Sequence, residues 1–198
     1  MFRTLLAPRL VAALLFLLLL VVPQSGAAPL TPATQMPLVH LSPALAVVPV
    51  GETACVDLRV QDVQNLFGFS TDIIFDPSRL AVVDADPASA GIQITVGPFL
   101  RPATPGNWYV INSADNARGL VRFAVTLFPP ETGHSGNGTL ATICFRGLNR
   151  GHSAITLSQS GTLLVDPQVS LIPFTMKSGG AFVGSVFRFR IPLVVRGR

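Results

Sequence analysis

From residue 65 the chain reads NLFGFSTDIIFDPSRL, placing large side chains at alternate positions before stopping at Asp76-Pro77. A period of two suits only an extended strand with one face in a core and one face in water. Here Phe67, Phe69, Thr71, Ile73 and Phe75 fall on one side, with Gly68, Ser70 and Asp72 on the other. Proline cannot donate to the ladder and biases the residue before it, so the strand ends at Asp76, and Leu80 is expected to tuck under the corner.

The same pattern recurs along the chain. In ETACVDLRV, Ala54, Val56, Leu58 and Val60 share the inner face, while Cys55, Asp57 and Arg59 point out. In GLVRFAVTLF, Val121, Phe123, Val125 and Leu127 point in and Arg122, Ala124 and Thr126 point out. In TLATICFRG, Ala141, Ile143 and Phe145 point in and Thr142 and Cys144 point out. Further strands are expected at 39–41, 46–50, 108–112, 154–158 and 180–183. Gly, Pro, Asn and Asp punctuate these runs and no segment sustains a 3.6-residue period, so the fold class is all-β, a sandwich or barrel with few or no helices.

The ends differ from this body. Arg3 and Arg9, an uncharged apolar run from Leu10 to Val22, and the small residues Ser25, Gly26, Ala27 and Ala28 have the three-part layout of a secretory signal peptide. The run is shorter than the roughly 20 residues of a membrane span. The sequence therefore divides into a signal peptide at 1–28, a linker at 29–37, one domain at 38–184 and a basic apolar tail at 185–198. Without leader and tail, the bases Arg59, Arg79, Arg101, Arg118, Arg122, Arg146, Arg150 and Lys177 number eight against ten acids, a balance of 8 − 10 = −2. The sequence pI near 10.0 belongs to the ends, and the body offers no nucleic-acid face.

The run VPVGETACVDLRVQDVQNLFGFSTDIIFDPSRLAVVDA is similar to the first half of a cohesin domain, with its Gly-Glu-Thr strand, its Asn-Leu-Phe-Gly-Phe entry and its Phe-Asp-Pro-Ser stop. SGNGTLATICFRGL resembles a later strand of that family, and LVDPQVSLIP followed by GGAFVG resembles its closing segment. The resemblance implies a jelly-roll sandwich of about nine strands. It also implies a noncatalytic role, in which an outward sheet face receives a dockerin, a small calcium-loaded helical module, or another extracellular protein. Polysaccharide-degrading or cell-surface assemblies are the usual setting. Members that bind cellulosomal dockerins often carry an Asn-x-Asp pair early on the strand that ends at Asp76-Pro77; counting back from Asp-Pro, those positions here are Gly68 and Ser70. The expected partner-binding residues are Ser70, Asp72, Trp108, Arg122 and Thr126, with Ala124 beside them and Tyr109 as the alternative to Trp108. In the family's strand order the strands of Cys55 and Cys144 lie side by side, so the resemblance implies a disulfide between these two cysteines, which export favours.

Other chemistry is thin. His40, His134 and His152 are scattered with no metal-ligand spacing, Asp84 and Asp86 lack the rest of a calcium loop, and no nucleophile elbow occurs. No catalytic residue, metal site or cofactor is expected. A carbohydrate-binding module on the same sandwich is the rival, with Trp108 or Tyr109 stacking on sugar; the two are consecutive and cannot form one flat strip. The Asn137-Gly138-Thr139 sequon reads as a tight turn. The tail FRFRIPLVVRGR resembles the endings of certain secreted bacterial surface proteins and suits contact with an anionic cell envelope, or else an edge strand.

Overall fold

The computed structural model describes residues 35–185. The expected signal peptide, the linker at 29–34 and the tail from 186 onward lie outside the described residues. The described chain is all β, without a helix, in thirteen strands rather than about nine. These are β1 (Leu38–Ser42), β2 (Leu45–Val48), β3 (Thr53–Leu66), β4 (Gly68–Phe75), β5 (Leu80–Val82), β6 (Thr95–Val96) and β7 (Trp108–Asp115), then β8 (Leu120–Leu127), β9 (His134–Gly147), β10 (Gly151–Leu157), β11 (Leu163–Val165), β12 (Thr175–Lys177) and β13 (Gly179–Val183). The higher number arises because short strands share an edge. β5 and β6 both pair with β9, and β10 and β11 both pair with β4.

Two sheets result, one of six strands in the order β12-β1-β3-β9-β5 with β6 also on β9, and one of seven in the order β2-β13-β10-β4-β8-β7 with β11 also on β4. Both mix parallel and antiparallel pairs, since β1–β12 and β2–β13 run parallel. The alternating residues meet between the sheets: Val56, Leu58, Ile143 and Phe145 from the first layer, Phe69, Ile73, Phe123 and Leu127 from the second, each 3% exposed or less. Phe75 of β4 and Phe145 of β9 pack edge to face across the layers at 5.3 Å between ring centroids.

Short polar side chains shape two irregular points of this frame. Asp76 ends β4 by accepting the Ser78 backbone N–H at 2.9 Å and the Ser78 hydroxyl at 2.6 Å, and Leu80, fully buried, then opens β5. Asn137 is not in a turn. It lies within β9, where its Oδ1 accepts the Asp62 N–H at 2.6 Å. Asp62 and Asn65 adopt left-handed φ angles of 54° and 57°, which shift the β3–β9 register. Asn and Asp tolerate that region better than other side chains.

Candidate functional site

The outward face of the seven-strand sheet is built in rows fixed by register. Tyr109 of β7 stands opposite Thr126 of β8, Thr126 opposite Gly68 of β4, and Gly68 opposite Val165 of β11. The next row runs Ile111, Ala124, Ser70 and Leu163, and the third Ser113, Arg122 and Asp72. Ser70, Asp72, Arg122 and Thr126 therefore share this face as the alternation predicts. Ala124 lies at its centre.

Trp108 does not join them. Directly opposed residues in an antiparallel pair point to the same side, and Trp108, Val110 and Asn112 oppose Leu127, Val125 and Phe123, all core residues. Trp108 thus packs, partly buried, against the core. Tyr109 is the outward aromatic, 60% exposed. The expectation that placed Trp108 among the partner contacts is corrected accordingly.

Two further residues belong to the face and were not singled out in the sequence. Ile111 is 44% exposed and Leu163 49% exposed. Ile111 follows from the alternation once Tyr109 faces out, because they are two residues apart. Leu163 carries no such local signal, since β11 reaches β4 only after the excursion at 158–162. That excursion is pinned from beneath: the hydroxyls of Thr71 and Thr162 are 2.8 Å apart, and Thr162 donates to the Ser158 carbonyl at 2.6 Å. It brings Gly161 so close that a Cβ there would lie 3.0 Å from Asp72 Cβ.

Gly68, on the outward phase of β4, has a physical reason to be glycine. A Cβ would stand 2.7 Å from Val165 Cγ2 and 3.3 Å from Thr126 Oγ1. Any larger residue must displace the Val165 side chain. The first two rows are uncharged, and charge begins at the third, where Arg122 Nε lies 3.9 Å from Asp72 Oδ1; beyond it, at the β7–β8 turn, Arg118 Nε lies 3.6 Å from Asp115 Oδ2. Both pairs are solvent-exposed and contribute little to stability. A shallow depression of about 230 Å³ lies between Ser70, Asp72, Ile111, Arg122 and Gly161. Beyond Leu163 an open groove of about 810 Å³ continues along Leu171, Ile172, Phe174, Met176 and Met36. The face offers apolar contact and a charged flank.

The other candidates resolve separately. Cys55 and Cys144 stand in register on β3 and β9 and are joined, with their Cα atoms 3.9 Å apart. This disulfide is on the outward face of the six-strand sheet, on the far side of the core from Tyr109 and Leu163. His40 lies on β1 and His134 on β9 in that sheet, while His152 lies on β10 in the other. His134 Nδ1 is 2.5 Å from the Phe99 carbonyl. Asp84 and Asp86 form a polar turn, Asp84 Oδ1 accepting the N–H groups of Asp86 and Gln93. Among the described residues no cluster of His, Cys, Asp or Glu is placed to hold a metal ion. Glu131 is structural. It accepts the N–H groups of Thr104 and Ala103 at 2.9 and 3.1 Å, and these bonds hold its carboxyl below the usual carboxylate range.

Comparison with solved structures places the fold. A type II cohesin domain from the cellulosome of Acetivibrio cellulolyticus matches with a TM-score of 0.62 at 17% identity, covering 74% of this chain and 95% of that one. The third cohesin of ScaC from the same organism, solved in complex with the ScaB dockerin, matches at 0.60 and 16% identity over 76% of this chain and 100% of that one. A non-cellulosomal cohesin from the archaeon Archaeoglobus fulgidus matches at 0.57 and 14% identity, over 76% and 93%. The chain has the fold of the cohesin domains. No family model matches it, and no curated protein matches it either.

Proposed function

We propose that this chain is an exported, noncatalytic docking module of the cohesin type, which receives a dockerin-like protein partner on the outward face of its seven-strand sheet. The observation that carries the proposal is the uncharged band of Tyr109, Ile111, Ala124 and Leu163, running from edge strand β7 across β8 to β11, where a purely solvated face would be polar. The fold supports it, because cohesins similar to this chain have been solved with dockerins bound. Reading the sandwich as a jelly roll, the leader as a signal peptide and the disulfide as the mark of an oxidising compartment is consistent with a role outside the cell. There the module attaches enzymes or surface proteins to a larger assembly.

The missing polar anchor defines the kind of partner. With Gly68 blocked by Val165 and Thr126, affinity comes from apolar burial beside the Asp72–Arg122 flank, so a partner presents an apolar helical surface instead of a hydrogen-bonding one. Pull-down of a panel of calcium-loaded dockerins by the full secreted domain tests this. Capture that is lost in Ile111→Glu and kept in Thr53→Glu, on the opposite sheet, is the expected result; a blank panel rejects the dockerin class. The rival carbohydrate-binding role now rests on Tyr109 alone, and retardation in a polysaccharide gel that vanishes in Tyr109→Ala is what would establish it.

A further inference from the structure

The outward face of the six-strand sheet carries a basic row that no acid answers. The register sets Lys177 of β12 opposite His40 of β1, and His40 opposite Arg59 of β3. All three are on the outward phase of their strands, because Val39, Leu41, Leu58 and Val60 between them face the core. Neighbouring strands are about 4.8 Å apart, so the two permanent cations flank the imidazole with their backbones roughly 10 Å from each other. Like charges on facing strands repel. The ion pairs formed among the described residues are Arg79–Asp76, Arg118–Asp115 and Arg122–Asp72, which leaves Arg59 and Lys177 without a carboxylate at pairing distance. Asp57, the acid next along on β3, accepts the Thr142 hydroxyl at 2.6 Å.

His40 lies half-buried between these two cations, its Nδ1 shut off from solvent. Burial first, then Arg59, hold the imidazole below its ordinary value; Lys177 acts the same way and the Leu38 carbonyl opposes them. A planar guanidinium fork, an ammonium and a ring N–H arriving from three adjacent strands are the donor set of a tetrahedral anion.

We propose that Lys177, His40 and Arg59 form a binding site for a tetrahedral oxyanion, a sulfate or phosphate group, on the sheet opposite the docking face. The site is independent of that face and stands whether or not a dockerin binds there. An anion on the row neutralises the repulsion and favours the imidazolium, so occupancy and His40 protonation rise together.

The test is an NMR titration of the three histidine rings in the full domain, in sodium sulfate and in sodium chloride at equal ionic strength. Sulfate is expected to raise the His40 pKa by about half a unit, a roughly 3-fold preference for the protonated ring, with His134 and His152 unmoved. Lys177→Gln and Arg59→Gln are each expected to weaken sulfate binding about tenfold, the loss of one charge-assisted contact, and Lys177→Glu to abolish the shift. A His40 pKa that is the same in both salts overturns the proposal, as does an equal rise at all three histidines. The wild-type comparison alone decides this if a variant fails to fold. A sulfated oligosaccharide forms the second arm: tighter binding per sulfate than the inorganic ion assigns the group to a glycan, and equal binding assigns it to the free ion.

Discussion

The two outward faces of this sandwich obey the same alternation and present opposite chemistries. On the seven-strand sheet, Tyr109, Ile111 and Leu163 leave an uncharged band open to solvent. On the six-strand sheet the corresponding positions hold the Cys55–Cys144 bridge, the Asp57–Thr142 hydrogen bond and the row of Lys177, His40 and Arg59. The inner faces, by contrast, are interchangeable in kind, each supplying Val, Leu, Ile and Phe to one core. Folding constrains the inner surfaces, where mismatched volume costs stability directly. What stands outside is free to serve binding, and the difference between the faces is therefore where function is to be sought.

The comparison can be broken most forcefully at the core. Phe123→Ala and Phe145→Ala, one from each layer and both 1% exposed, are expected to destabilise by about 3–5 kcal/mol each in denaturant titration. A cost confined to one layer would show that the sheets do not share a core. Next in size is the disulfide: Cys55→Ala with Cys144→Ala, opening a link across 89 residues of sequence, is expected to lower stability by about 2–4 kcal/mol in the loop-entropy account. Partner binding on the other sheet should survive this change, and its loss would couple the two faces.

Gly68→Asn puts a side chain at the blocked position and is expected to cost about 1–3 kcal/mol by overpacking against Val165 and Thr126. Loss of amide protection at Leu163–Val165 would report it. Unchanged stability would mean that β11 yields easily and that the glycine serves another end. Ile111→Ser should sharpen the contrast, leaving stability within about 0.5 kcal/mol while lowering partner affinity about tenfold or more.

The smallest effect is one of pH. Asp76, through the Ser78 hydroxyl and N–H, and Glu131, through the N–H groups of Thr104 and Ala103, both have depressed carboxyl pKa values in the folded protein. Their contribution is present above the ordinary carboxylate range and is lost as pH falls through the folded values. Glu131→Gln should flatten the acid limb of a thermal-stability profile, chiefly by loosening the turn at 103–107. An unchanged acid limb would remove Glu131 from the account.

Much of the fold was legible in the sequence for a plain reason. Alternation assigns each residue of a strand to a face without reference to any partner, which placed Phe67 through Phe75, Val121 through Leu127, and the outward Ser70, Asp72, Arg122 and Thr126. The orientation of Trp108 and Tyr109 was not legible, because their run does not show which phase is core until β8 fixes the register. The turn assigned to Asn137 failed for a related reason: its side chain answers a left-handed residue far away on β3.

By itself the sequence determined the all-β class, the inner face of the long strands and the stop at Asp76-Pro77, since each depends on the chemistry of neighbours a few residues apart. Only the tertiary structure decided that β11 would lie on β4, that Leu163 and Ile111 would widen the outward band, that Gly68 would be hemmed in, and that Lys177, His40 and Arg59 would fall in one row. These are meetings between segments distant in the chain, and pairing partners across a sheet are selected by the packing of the whole core rather than by any local signal.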